Sequence, residues 1–261
     1  MEGHAYVVLG ATGGIGSALA RRVVARGGRV VLAARDEERL AALSGELDAP
    51  WVSLDAAEPD EVKGAVQRCA EAHGRFDGIV NSVGSILLRP AHMTKVEDFD
   101  TTVRQNLRTA FATVHAGAGA LRKGGGSIVL VSTAAARTGL SNHEAIAAAK
   151  AGVQGLTLSA AATYAPSGVR VNCVAPGLVD TELAAPIVGS ERALEASRAM
   201  HALQRIGQPD EVASAIEYRS LSPAPMKALA TAVSIVLVAS TATAWAAKLN
   251  LFPARAAKSG P

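Results

Sequence analysis

Short runs of β-branched and aliphatic residues recur along the chain, and longer alanine-rich stretches of helical character separate them. The runs are AYVVL (5–9), RVVLAA (29–34), WVSLD (51–55), DGIVNSV (77–83), SIVLVST (127–133) and VRVNCVA (169–175). Each is short enough for a strand and almost continuously apolar, as strands buried on both faces are. Helices fit between them at 14–26, 37–47, 58–73, 96–121 and 143–165, and the glycine cluster 124–126 reads as a turn before the fifth strand. Strand and helix in alternation predict an α/β fold, a doubly wound parallel sheet (Rossmann fold) in a single domain.

The pattern changes near the C-terminus. Residues 226–248, MKALATAVSIVLVASTATAWAAK, read like a signal peptide lying inside a chain, and their uncharged run approaches the ~20 residues that span a bilayer. The stretch is diluted by Thr, Ser and Ala, so the preferred reading is a strand at VSIVLV (233–238) completing the sheet edge, with residues beyond Ala247 loosely held. A membrane segment and a fusion or reading-frame scar are the alternatives. The expected organisation is a nucleotide-binding domain over 1–225 and an atypical tail over 226–261.

Composition narrows the partners. With 49% hydrophobic and 19% charged residues the chain suits a compact core, and a net charge of +3 without a basic run gives no footprint for nucleic acid. The two cysteines, Cys69 and Cys173, lie far apart without metal-ligand spacing, so neither a metal site nor a disulfide framework is expected. MEGHAYVVLG has no secretory character, and the cytoplasm is the expected location.

The chemistry begins directly after the first strand, where GATGGIG places Gly10, Gly14 and Gly16 at a strand-to-helix turn. Glycine there lets backbone approach a pyrophosphate, and the helix N-terminus offers free N–H groups and a positive dipole end. About twenty residues on, the second strand ends in Ala33, Ala34 and Arg35. A carboxylate at that place would bond a ribose 2′-hydroxyl, whereas Arg35 suits a 2′-phosphate and so favours NADP(H) over NAD(H). The plainer account makes Arg35 a solvated residue before a helix capped by Asp36.

Together these features resemble the short-chain dehydrogenase/reductase family over residues 5 to about 220. GATGGIG matches its glycine pattern, Asp55 and Ala56 its adenine contact, and NSVG (81–84) an altered form of its Asn-Asn-Ala-Gly turn. Asn106 matches the Asn of the fourth helix, and APGLVDTEL (175–183) the Pro-Gly segment over the nicotinamide. The resemblance implies that Gly10, Thr12, Gly13, Gly14, Ile15 and Gly16 hold the phosphates, with Arg35, Asp55 and Ala56 on the adenosine. It implies further cofactor contacts from Asn81, Val83, Gly84, Lys150, Pro176, Gly177, Val179 and Thr181.

The family's active Ser, Tyr and Lys map onto Thr133, Ile146 and Lys150 with spacing kept, so the phenol that would donate a proton is replaced by an alkyl group. Thr133 retains a hydroxyl for a substrate oxygen, Lys150 can hold a ribose, and Asn106 a water. His143, one helical turn before Ile146, is the candidate replacement proton donor, or else a solvent-facing residue of a helix start capped by Asn142. The resemblance implies an NADP(H)-dependent oxidoreductase acting on a carbonyl or alcohol of a small apolar substrate, weakened by the loss of the phenol. The alternative is a catalytically inactive NADP(H) sensor or interaction protein of the same fold. Met93, Leu183, Ile187 and Met200 suggest an apolar substrate cleft, and the Ala- and Gly-rich helix 143–165 a homo-oligomer, dimer or tetramer.

Overall fold

A computed structural model describes residues 2–221 and the strand pair Ile235–Val236. Seven parallel strands form one sheet in the order β3-β2-β1-β4-β5-β6-β7: β1 Ala5–Leu9, β2 Arg29–Ala34, β3 Trp51–Ser53, β4 Gly78–Asn81, β5 Gly126–Val131, β6 Val169–Val174 and β7 Ile235–Val236. The doubly wound parallel sheet expected from the alternation is present. Strand order reverses between β1 and β4, which pair from Tyr6↔Gly78 to Leu9↔Asn81, and the loops after these two strands diverge to leave a crevice.

Helices α1 Gly14–Ala25, α2 Glu37–Leu47, α3 Pro59–His73, α4 Val96–Val103 and α5 Thr109–Leu121 follow the first four strands. They are followed by α6 Ala135–Thr138, α7 Glu144–Tyr164, α8 Ala185–Val188, α9 Glu191–Met200 and α10 Pro209–Leu221. The sheet is buried on both faces because alternate side chains feed two cores. Ala5, Val7 and Leu9 of β1 join Val31, Ile79 and Ile128 beneath α3 and α5, while Tyr6 and Val8 join Leu32, Val129 and Ile216 beneath α1 and α10. Each fully buried aliphatic side chain contributes roughly 1.5–3 kcal/mol relative to exposure.

The helix expected at 96–121 is interrupted by a π-helical turn, Arg104–Arg108. Asn106 Nδ2 donates to the Thr102 carbonyl at 2.9 Å, the acceptor four residues back that a regular α-turn would use, so the backbone register lengthens by one residue. The strands expected at 51–55 and 77–83 end earlier, at Ser53 and Asn81, because their last residues turn into the cleft. The cap of α7 is His143, with Asn142 at φ 63°, whereas the alternative reading of this stretch put the cap at Asn142. Ile235–Val236 pairs parallel with Cys173–Val174; the rest of 233–238 and the residues beyond Ala247 lie outside the described residues. Among the described residues no helix is long and apolar enough to cross a membrane.

Candidate active site

The glycine loop is shaped by close approach. Gly10 has φ +75°, which glycine adopts without strain, and a Cβ there would lie 3.0 Å from Ser82 Oγ and Val83 N. A Cβ on Gly16 would overlap the Gly10 carbonyl. Ser82 Oγ donates to the Leu9 carbonyl at 2.7 Å, so the loop after β4 is tied to the loop after β1. Asn81 fixes that second loop from below, donating to Thr113 Oγ1 at 2.9 Å and accepting from Val83 N at 2.8 Å.

Helix α1 differs from its neighbours at the N-terminus. Its cap is Gly13, without a side-chain bond, and its first turn holds no acid. By contrast α2 is capped by Asp36 and carries Glu37 and Glu38, and α3 carries Asp60 and Glu61. Acidic groups satisfy those two dipoles internally, while α1 keeps its positive end for an external anion.

These elements enclose a cavity of about 510 Å³. Gly10, Thr12, Gly13, Gly14, Ile15 and Gly16 line one wall, Arg35, Asp55 and Ala56 one end, and Val83, Gly84 and Thr181 the remainder. Its size and its anion-facing glycine cradle fit a dinucleotide. Asp55 is capped on the Ala57 N–H at 2.9 Å and paired with Arg104 at 2.9 Å, and these contacts hold its carboxyl below the usual range. Arg35 is exposed, and its charge acts on the neighbouring Asp55 carboxylate. Arg39, Arg104, Gln105, Ser82 and Glu182 line the same cavity and were not singled out from the sequence, and Leu183, expected in the substrate cleft, lines it too. Arg39 carried one legible signal, a second cation in the first turn of the helix that follows Arg35.

The catalytic candidates lie deeper and do not line that cavity. Lys150 is 7% exposed and Nζ donates to the Val131 carbonyl at 2.8 Å. Burial of the ammonium lowers its pKa from the ordinary 10.5 to about 8. A Cβ on Gly84 would lie 2.9 Å from Asn106 Oδ1 and 3.2 Å from Lys150 Nζ, so Gly84 is the point where cavity and catalytic corner meet. Asn106 donates to Ser85 Oγ at 3.0 Å as well as to Thr102, and accepts from Ser85 N at 3.2 Å. Both amide hydrogens are therefore used within the chain, which leaves only a lone pair for a water.

Thr133 Oγ1 donates to the Pro176 carbonyl at 3.3 Å and accepts from Ala135 N at 3.3 Å, joining the end of β5 to the Pro-Gly segment. Ser132 Oγ donates to the Lys150 carbonyl at 2.8 Å and accepts from Gln154 Nε2 at 3.0 Å, a brace between β5 and α7 that sequence reasoning missed. Ile146 is 5% exposed and packed in this corner. His143 is half-buried, and its Nδ1 bonds the Ser141 carbonyl at 2.7 Å. Pro176, Gly177 and Val179 line a separate cavity of about 70 Å³ beside the buried His201 ring. Among the described residues no cluster of His, Cys, Asp or Glu could hold a metal ion.

Comparison with known proteins bears on the fold and the family. A family model described as enoyl-(acyl carrier protein) reductase matches residues 10–218. The chain is 37% identical over 218 residues to the cis-4-hydroxycyclohexanecarboxylate dehydrogenase of Sinomonas cyclohexanicum, covering 81% of this chain and 87% of that protein. A short-chain type dehydrogenase/reductase from Mycobacterium ulcerans superposes with a TM-score of 0.84 at 28% identity, covering 90% of this chain and 88% of the other. An actinorhodin polyketide ketoreductase variant, solved with NADPH, superposes at 0.79 with 30% identity, covering 89% and 94%.

Proposed function

The chain belongs to the short-chain dehydrogenase/reductase family, and from that membership we propose that it is an NADP(H)-dependent oxidoreductase of a small, apolar carbonyl or alcohol. The observation that carries this reading is the cavity that runs from Arg35, past the acid-free N-terminus of α1, to Gly84 beside Lys150. When bound, NADPH supplies a hydride to a carbonyl carbon, and NADP+ accepts one from an alcohol. The N–H groups at the start of α1 hold the pyrophosphate, Arg35 the 2′-phosphate, and Asp55 with Ala56 flanks the adenine. Lys150 holds the ribose with the N–H groups that Val131 does not take. Val83 and Thr181 frame the nicotinamide end, Asn81 braces the Val83 loop from beneath, and Pro176, Gly177 and Val179 back it from the neighbouring cavity.

Thr133 offers its hydroxyl to the substrate oxygen. The relay left to the site is His143, a weaker donor than a phenol one turn from Lys150: its Nδ1 hydrogen is engaged by Ser141, so Nε2 is the nitrogen that hands a proton to the developing alkoxide. Ile146 does neither. Met93, Leu183 and Met200 are exposed, which suits an apolar substrate, and the relative that oxidises a hydroxylated ring supports an alcohol or ketone. The exposed Phe111 of α5 and Leu158 of α7 suit association between copies. Two free, buried cysteines suit the reducing cytoplasm.

One observation favours a second reading, an NADP(H) sensor without turnover: Ile146 and Lys150 are almost fully buried in the corner where a proton must move. Titration of the purified chain with NADPH, followed by NADPH consumption with a panel of ketones, aldehydes and quinones, decides between them. Binding with turnover supports the reductase, and binding without turnover on any of these supports the sensor.

A further inference from the structure

Two of the basic residues at the adenosine end of the cavity are not equivalent. Arg35 is open, whereas Arg39 is held from across the cleft: Nη1 donates to Glu182 Oε2 at 2.8 Å, and Nη2 to Glu182 Oε1 at 3.3 Å and to the Thr12 carbonyl at 2.9 Å. Glu182 belongs to the turn Glu182–Ala184, which hangs over the cavity between two anchors. On one side Asp180 N donates to the Gly207 carbonyl at 2.9 Å. On the other the Thr181 methyl rests on the phosphate loop, where a Cβ on Gly14 would lie 2.9 Å from Thr181 Cγ2. A carboxylate therefore occupies the guanidinium that lines the same cavity as Arg35, four residues on in the first turn of α2.

We propose that Glu182 is a cofactor-selectivity residue, a competitor that holds Arg39 until a 2′-phosphate displaces it. The inference rests on the NADP(H) reading above. Charge and geometry both favour the exchange: a phosphate dianion between Arg35 and Arg39 outbids a single carboxylate for bidentate N–H donors. The pair to be broken is weak, because Arg39 is 47% and Glu182 79% exposed and ion pairs of that exposure contribute little. A nucleotide with a free 2′-hydroxyl has no group to make the exchange, and Glu182 stays where it is.

The test is fluorescence titration of NADPH and NADH against the full chain, Glu182→Gln, Arg39→Ala and the double variant, with thermal melts to confirm folding. Glu182→Gln is expected to tighten NADPH by roughly 1.5- to 5-fold, the factor that loss of an exposed pair allows, and to leave NADH unchanged. In the Arg39→Ala background the same substitution is expected to do nothing, since no guanidinium remains to compete for. A wild type that prefers NADPH by a ratio Glu182→Gln does not raise overturns this inference alone. A wild type that binds NADH as tightly as NADPH overturns the NADP(H) reading and the inference with it. Glu182→Ala repeats the experiment without the amide.

Discussion

At the glycine loop the start of α1 meets a cavity of about 510 Å³ with no acid in its first turn, and Arg35 stands open at the cavity's end. Around Lys150 the chain does the opposite, packing Ile146, Asn106 and the ammonium itself at 5%, 1% and 7% exposure and using Asn106's hydrogens internally. One region spends its polar groups on an outside anion, and the other spends them on itself. The contrast teaches that anion binding and proton transfer make separable demands on a fold: the first needs only backbone and a few cations, and the second needs a titrating side chain at the reacting atom.

The most direct way to break the contrast is Ile146→Tyr. It returns a phenol one helical turn from Lys150, and reductase turnover is expected to rise by about 10²- to 10⁴-fold, the range of general acid catalysis. The larger ring costs roughly 1–3 kcal/mol by overpacking a buried position, which a thermal melt reads. A folded, NADPH-binding variant without any gain in steady-state turnover would remove the reductase reading and leave the sensor.

Lys150→Met sharpens the contrast from the other side. Lys150 titrates at about 8 in the folded chain and near 10.5 when unfolded, so the unfolded state binds the proton more tightly. The cost of burying the charge is thus fully present below pH 8, and it fades as pH rises from 8 towards 10.5. Melting at pH 7 is expected to show Lys150→Met stabilised by about 2–3 kcal/mol, with the gain shrinking above pH 8, while NADPH turnover is lost. A variant less stable than the wild type at pH 7 would mean that the ammonium is solvated in solution.

Arg35→Asp addresses the open end. One charge-assisted contact is worth about 1.5–3 kcal/mol, so NADPH is expected to weaken by roughly 10- to 150-fold and NADH to become the preferred ligand. Equal weakening of both in the fluorescence titration would place Arg35 on the pyrophosphate instead. The smallest effect is expected from His143→Ala, which lowers turnover and leaves NADPH affinity unchanged. Unchanged turnover assigns His143 to the start of α7 and nothing more.

The first two strands were legible to the residue, because apolar run length and flanking polarity are written in consecutive positions. So was the glycine loop, where a positive φ at Gly10 and the backbone contact at Gly16 exclude a Cβ. The π-turn was less legible. Its cause is local, the Asn106–Thr102 bond, but an amide that takes a helix carbonyl leaves no mark on hydrophobic periodicity. The brace from Ser132 to Lys150 and Gln154 spans about twenty residues and exists only once α7 packs on β5 and β6.

The sequence by itself determined the strands, the parallel sheet, the phosphate loop and the absence of a phenol at position 146. These follow from steric limits and side-chain periods that act over a few residues. Tertiary structure alone decided that Lys150 is buried, that Asn106's hydrogens are already taken, and that Arg39 answers to a carboxylate 143 residues away. Burial is the sum of what several distant elements cover, and an ion pair is set by where two loops meet. Neither quantity is carried by any one stretch of chain until the sheet brings those stretches together.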